Sequence, residues 1–294
     1  MMDRLPTIDD LGKECRRLLH GRGEYFPGLE HVAIDWFSPV LLVTFYAEKE
    51  NNTPILDRLI KAAKDCSEIT AIVVQERHLP KAPKRTVYGE APESPLAHEE
   101  GLNYRIALDR NQNHGFFLDM KPGRDWVRGH ASGKRVLNLF SYTCSLSVAA
   151  IAGGAKEVIN LDMASRALAT GRRNHQLNFD PATCSRASYL AHDLFKSWGK
   201  LKRRAPYDII IIDPPSNQGR SFYAEKDYAK ILRRLPDLTG SDSLILACLN
   251  APHLDVSFLT SLFADYKLKT RLPRASGFED LRPQAALKCL IFRP

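Results

Sequence analysis

Three apolar runs end in aspartate: EVINLD at Asp162, SYLAHD at Asp193 and YDIIIID at Asp213. A carboxylate that closes a buried strand stands where α/β sheets meet their ligands. Asp162 follows an earlier strand and turn, Asn138-Leu139-Phe140-Ser141-Tyr142-Thr143-Cys144, at about the 20-residue spacing that lets a carboxylate accept both hydroxyls of a ribose. The plainer alternative is an exposed strand-end residue. Asp193 is placed to meet an adenine. Asp213 precedes Pro214-Pro215-Ser216, and four consecutive isoleucines bring it to the sheet edge. The prolines fix the backbone direction beyond it. Such a turn can aim a carboxylate and peptide carbonyls at a flat base.

The turn at 138–144 narrows the ligand. A dinucleotide needs G-x-G-x-x-G there, so that pyrophosphate can approach bare backbone at a helix N-terminus. This turn has no glycine, which disfavours nicotinamide and flavin dinucleotides. S-adenosylmethionine carries no phosphate, so bulkier residues can line its approach.

The elements that must position these residues alternate regularly after residue 130. RVLNLF (135–140), EVINLD (157–162), SYLAHD (188–193), YDIIIID (207–213) and SLILACL (243–249) read as strands. Helices are expected across 145–155, 165–178, 225–236 and 254–264, with closing strands near 266–271 and 286–293. Near-continuous apolar strands alternating with helices mean a parallel sheet covered on both faces. The fold expected is α/β, a doubly wound Rossmann-like sheet in residues 111–294. Before it, strands at 32–37, 40–47 and 69–77 and a helix at 55–66 make a small α+β domain in residues 1–110. APESPLAHEE (91–100) reads as a loop between the two.

Of 294 residues, 44% are hydrophobic and 26% charged, as in a soluble globular protein. No run is long enough to span a bilayer, and the first residues lack the apolar core of a secretory signal. Six cysteines are scattered without metal spacing, so neither a metal site nor a disulfide framework is expected, and a cytoplasmic setting is the default. The net charge of +8 is uneven: residues 1–110 carry −3 and residues 111–294 carry +11. A polyanion such as RNA would lie against the second part, although a merely solvated basic surface has the same composition.

Taken together, Gly115-Phe116-Phe117-Leu118-Asp119 with Arg124, LNLFSYT (137–143), GGA (153–155), Asp162-Met163, Asn174, Asn178 and the Asp-Pro-Pro turn resemble one bacterial family. It is that of the S-adenosylmethionine-dependent 23S rRNA methyltransferases, in particular their guanine-N7 methyltransferase domain, with the cytosine-C5 enzymes further off. The likeness runs from about residue 70 to the C-terminus. It implies a class I methyltransferase sheet in which Asn138, Phe140, Ser141, Tyr142, Asp162, Met163, Asp193 and Asp213 surround the cofactor. Phe117 and Asp119 would lie over its methionine end. Two places depart from the pattern: Cys144 stands where the family has glycine, and Ala247-Cys248-Leu249-Asn250 matches neither branch.

The expected reaction is methylation of a base in ribosomal RNA, with guanine N7 favoured. N7 has a free lone pair and needs placement by Asp213, Pro214 and Pro215. Cytosine C5 needs a thiolate to add first at C6, and Cys248 is the residue that could supply it; a small buried hydrophobe is the alternative. Lys200, Lys202, Arg203 and Arg204 form a basic loop that could hold phosphates. Arg220, Phe222 and Tyr223 combine charge with stacking faces that suit a flipped base, unless core packing claims the aromatics. A small-molecule or protein methyltransferase and a catalytically silent RNA-binding factor remain as other classes. Oligomeric state is not legible.

Overall fold

Strands of unbroken Val, Ile and Leu need apolar cover, and the chain provides it in two separate units. The computed structural model describes all residues except 1–4, 6, 7, 9, 110, 111 and 216–221. One unit comprises residues 1–118 with 276–282, and the other residues 119–275 with 283–294.

In the first unit, β1 (Arg16–His20), β2 (Val32–Phe37), β3 (Val40–Phe45), β4 (Ala71–Glu76) and β5 (Lys84–Gly89) form a sheet in that order. Every residue of β2 and β3 is buried. Helix α1 (Asn52–Asp65) contributes Ile55, Leu56, Leu59 and Ala63 to the same core, the i, i+4 face of an amphipathic helix. The loop expected at 91–100 is corrected: β6 (Leu96–Glu99) pairs with β7 (Leu102–Arg105). Glu100 and Gly101 form the two-residue turn between them, both at positive φ, as tight hairpins require.

The second unit runs α2 (Lys121–His130), β8 (Arg135–Leu139), α3 (Ser145–Ala152), β9 (Glu157–Asp162), α4 (Ser165–Asn178), α5 (Pro181–Cys184), β10 (Ala187–Ala191), α6 (Trp198–Lys202), β11 (Tyr207–Ile212), α7 (Ala224–Leu232), β12 (Thr239–Leu249), α8 (Val256–Leu262), β13 (Lys267–Arg271) and β14 (Lys288–Arg293). Its seven strands lie in the order β10-β9-β8-β11-β12-β14-β13. The first five are parallel, and β14 is antiparallel to both its neighbours. This is the doubly wound α/β sheet expected.

The isoleucines of β11 show how both faces are filled. Ile210 and Ile212 enter one core with Leu137, Leu139, Tyr228 and Phe263. Ile209 and Ile211 enter the other with Val127, Val136 and Leu146. Strand order reverses between β8 and β11, so the crevice for a ligand opens at their C-terminal ends. No described helix is long and apolar enough to cross a membrane.

Candidate cofactor and target-base site

The chain leaves β8 through a turn in which Phe140, Tyr142 and Cys144 all take left-handed backbone, with φ of 57°, 46° and 62°. None is glycine, so each carries strain that its surroundings must hold in place. Cys144 is fully buried, and burial pushes its thiol pKa up. Its side chain fits because the facing helix α4 carries Gly171. A Cβ at that position would come 2.4 Å from Cys144 Sγ and 2.9 Å from its Cβ. The cysteine that departs from the family pattern is thus accommodated by a glycine on the opposite element. Gly171→Ala should therefore lower stability by about 1–3 kcal/mol, and Cys144→Gly in the same chain should restore most of it. Equal urea midpoints for Gly171→Ala and the wild type would refute this pairing.

Hydrogen bonds fix the turn against its neighbours. Asp162, at the end of β9, accepts the Tyr142 N–H on Oδ2 and the Ala164 N–H on Oδ1, each at 2.8 Å. One donor per oxygen orients the carboxylate and leaves its outward lone pairs for a ligand. Asn174 Nδ2 donates to the Thr143 carbonyl at 2.9 Å. Beneath the turn, Asn138 and Asn160 are register partners on β8 and β9. Asn138 Nδ2 donates to Asn160 Oδ1 (2.9 Å), and Asn160 Nδ2 donates to Ser147 Oγ (3.0 Å). Ser147 in turn meets His175 Nε2, and His175 Nδ1 lies 2.9 Å from the Tyr189 hydroxyl. This buried polar chain links β8, β9, α3, α4 and β10. Asparagine in the middle of an apolar strand is the sequence signal that marks it.

Two buried acceptors at this turn are left over. Asn138 Oδ1 has no hydrogen-bond partner, and Ser141 Oγ has only the weak Cys144 thiol beside it. Such groups are costly unless a ligand meets them. The ammonium and ribose hydroxyls of S-adenosylmethionine supply the donors they lack, so the residues present fit that cofactor.

At the end of β11, Asp213 is partly buried, within electrostatic reach of Asp119 and Arg124. Burial and the Asp119 carboxylate push its pKa up to about 7, against the pull of Arg124. Arg124 is only 1% exposed. The carboxyl is therefore poised between its charged and neutral forms near neutrality. Pro214 is buried and Pro215 partly so. Neither has an N–H, so this turn can offer a base only acceptors beyond the carboxyl.

The profile of the S-adenosylmethionine-dependent methyltransferases matches residues 16–293. The chain belongs to that family. Among curated relatives of this chain, the ribosomal RNA large subunit methyltransferase I of Aeromonas salmonicida is 32% identical over 218 residues, covering 72% of this chain and 54% of the relative. The ribosomal RNA large subunit methyltransferase of Deinococcus radiodurans is 32% identical over 212 residues, 68% of this chain and 50% of the relative. The chain thus spans about half the length of the curated relatives it matches. A crystal structure of the protein SMU.776 in complex with SAH superposes with a TM-score of 0.80 at 29% identity, covering 96% of this chain and 76% of that one.

The structure sorts the remaining expected site residues. Phe140, half-buried, meets Phe222 edge-on at 5.2 Å between ring centroids. Phe222 itself is buried in the core with Tyr228, which corrects its expected role as an open stacking face. Tyr223 is 44% exposed, and Lys226 Nζ stands 5.9 Å over its ring. Arg220 and Ser216 lie outside the described residues. Asp193 caps a short turn by accepting the Phe195 N–H at 2.9 Å, while its other oxygen faces Lys196 at 4.0 Å. Met163 is 63% exposed at the end of β9; Phe117, 44% exposed, belongs to the first unit.

Two further expectations need correction. Cys248 is fully buried, with its thiol 3.6 Å from that of Cys289, its register partner on β14. That hydrogen bond and burial raise its pKa well above the ordinary thiol value, so it is an inert core thiol. The expected basic loop, whose Lys200 and Lys202 in fact belong to α6, is also misplaced for the site. Lys202 pairs with Asp237 at 2.7 Å, and Arg204 reaches Glu157 at the start of β9. Both therefore serve the N-terminal ends of the strands, opposite the ligand crevice. Arg203 is exposed beside them. Only Lys200, 2.9 Å from His192 Nε2 beyond β10, reaches toward the other end. Arg124 is the residue to which sequence reasoning gave no role of its own.

Proposed function

We propose that this chain methylates a base of large-subunit ribosomal RNA in the cytoplasm, at guanine N7 rather than cytosine C5. The observation that carries the choice of atom is the burial of Cys248 against Cys289. Addition at C6 of a pyrimidine needs an accessible thiolate, and this strand end offers a buried neutral thiol. The RNA substrate is supported by the relatives named above and by the +11 charge of residues 111–294.

When bound, S-adenosylmethionine supplies an electrophilic methyl group on a sulfonium. The chain's own residues do the rest by placement. Asp162 holds the ribose hydroxyls with the lone pairs left by Tyr142 and Ala164. Asn138 and Ser141 take donors from the cofactor. Asp119 would hold its methionine end and Asp193 its adenine. Asp213 and the Pro214 and Pro215 carbonyls accept hydrogen bonds from the donor-bearing edge of guanine, N1–H and the 2-amino group. The N7 lone pair is then free to face the methyl. Orientation of this kind supplies much of the rate for a displacement between two held partners.

Cys248→Ala should accordingly retain most of the methyl-transfer activity on unmodified rRNA. RNA carrying 5-fluorocytosine should give no covalent complex with the wild type. A dead Cys248→Ala variant together with a trapped complex would establish the C5 reading instead.

A further inference from the structure

Strand β13 is the edge of the second unit's sheet, and all five of its residues are exposed. Three of them are Lys267, Lys269 and Arg271. Among the described residues no carboxylate pairs with any of the three, whereas Lys202 and Arg204 in the basic loop are both matched by acids. Three unopposed cations on one short strand attract a polyanion.

Register places this strand with respect to the site. Arg271 pairs with Leu290, Leu290 with Ala247, and Ala247 with Ile212. Arg271 thus stands level with the residue just before Asp213. Because β13 and β12 are both antiparallel to β14, β13 points its C-terminal end the same way as β11, toward the ligand crevice. Three strand spacings separate β13 from β11, roughly 14 Å at ~4.8 Å each. A polynucleotide whose base sits at the Asp-Pro-Pro turn can therefore lay its flanking phosphates along this edge.

We infer that β13 is a phosphate-binding track for the RNA substrate, with Lys267, Lys269 and Arg271 as its cations. This rests on the RNA reading proposed above. A second copy adding its own β13 to the edge would bring like charges together, so strand exchange is disfavoured. Lysines on an edge strand also guard against aggregation. Reversal to glutamate keeps that guard and removes only the attraction for phosphate.

The test compares Lys267→Glu/Lys269→Glu/Arg271→Glu with Lys202→Glu/Arg203→Glu/Arg233→Glu, a control with the same change in net charge in which Arg233 is the exposed residue just after α7. Binding to deproteinised large-subunit rRNA is titrated against salt, and S-adenosylmethionine affinity is measured calorimetrically on each. The β13 variant should lose at least tenfold in RNA affinity. Its salt slope should fall by about 2, from three contacts at roughly 0.7 each on single strands. Cofactor affinity should be unchanged, and the control should stay near wild type. Equal losses in both variants, or none in the β13 variant, would overturn the track while leaving the RNA reading intact. A wild type that shows no salt-dependent binding to this RNA would overturn both.

Discussion

Asp213→Ala should lower methyl transfer by on the order of 100-fold or more while leaving the fold intact. The turn it heads offers a base only acceptors, and this carboxyl is the one among them that can carry charge. Its environment gives the substitution a second, opposite signature. The folded carboxyl titrates near 7, whereas an unfolded chain releases that proton near the ordinary value of 3.8. Between those limits the folded state holds more protons, so stability falls as pH rises from about 4 toward 7 and levels off above. Asp213→Asn keeps the shape without the charge. It should nearly match the wild type at pH 4 and exceed it at pH 8 by about 4 kcal/mol. Urea midpoints at the two pH values read this directly. A variant that keeps full activity, or a stability difference independent of pH, would show that Asp213 is an ordinary surface carboxylate.

Asp162→Ala should weaken S-adenosylmethionine binding by about 100-fold or more, since two hydrogen bonds to a charged group are lost at once, each worth roughly 1.5–3 kcal/mol. The same change strips the Tyr142 and Ala164 amides of their acceptor, which loosens the strained turn. Asp162→Asn retains one acceptor oxygen and should fall between the two. Calorimetry with S-adenosylmethionine, with circular dichroism as a check on folding, decides it. Unchanged affinity in Asp162→Ala would remove this residue from the site.

What the sequence made legible was local. The isoleucines of β11 and the apolar run of β9 mark buried strands by composition alone, and each ends on its aspartate. The two asparagines at 138 and 160 were harder, because only pairing of β8 with β9 brings them together. The fit of Cys144 depends on Gly171, 27 positions away, and no spacing rule connects a turn with the middle of a later helix. Strands β1 and β5 were unread: the exposed, charged face of β5 lacks the alternation that marks a half-buried strand. Helix α2 contains Pro122, Gly123 and Gly129, which argue against a helix by propensity, yet Val127 packs it into the core. Charge was legible as a sum and misleading as a map. Lys202 and Arg204 are matched by acids at the far end of the sheet, while the unopposed cations stand on β13.

The most direct measurement is methyl transfer itself, from methyl-labelled S-adenosylmethionine to rRNA isolated from cells that lack this gene. Digestion to nucleosides followed by mass spectrometry identifies the product. The account predicts label in large-subunit rRNA, recovered as 7-methylguanosine, and absent when Asp213→Ala replaces the wild type. Label recovered as 5-methylcytidine would contradict the assigned atom, and label found only in protein or small molecules would contradict the RNA substrate.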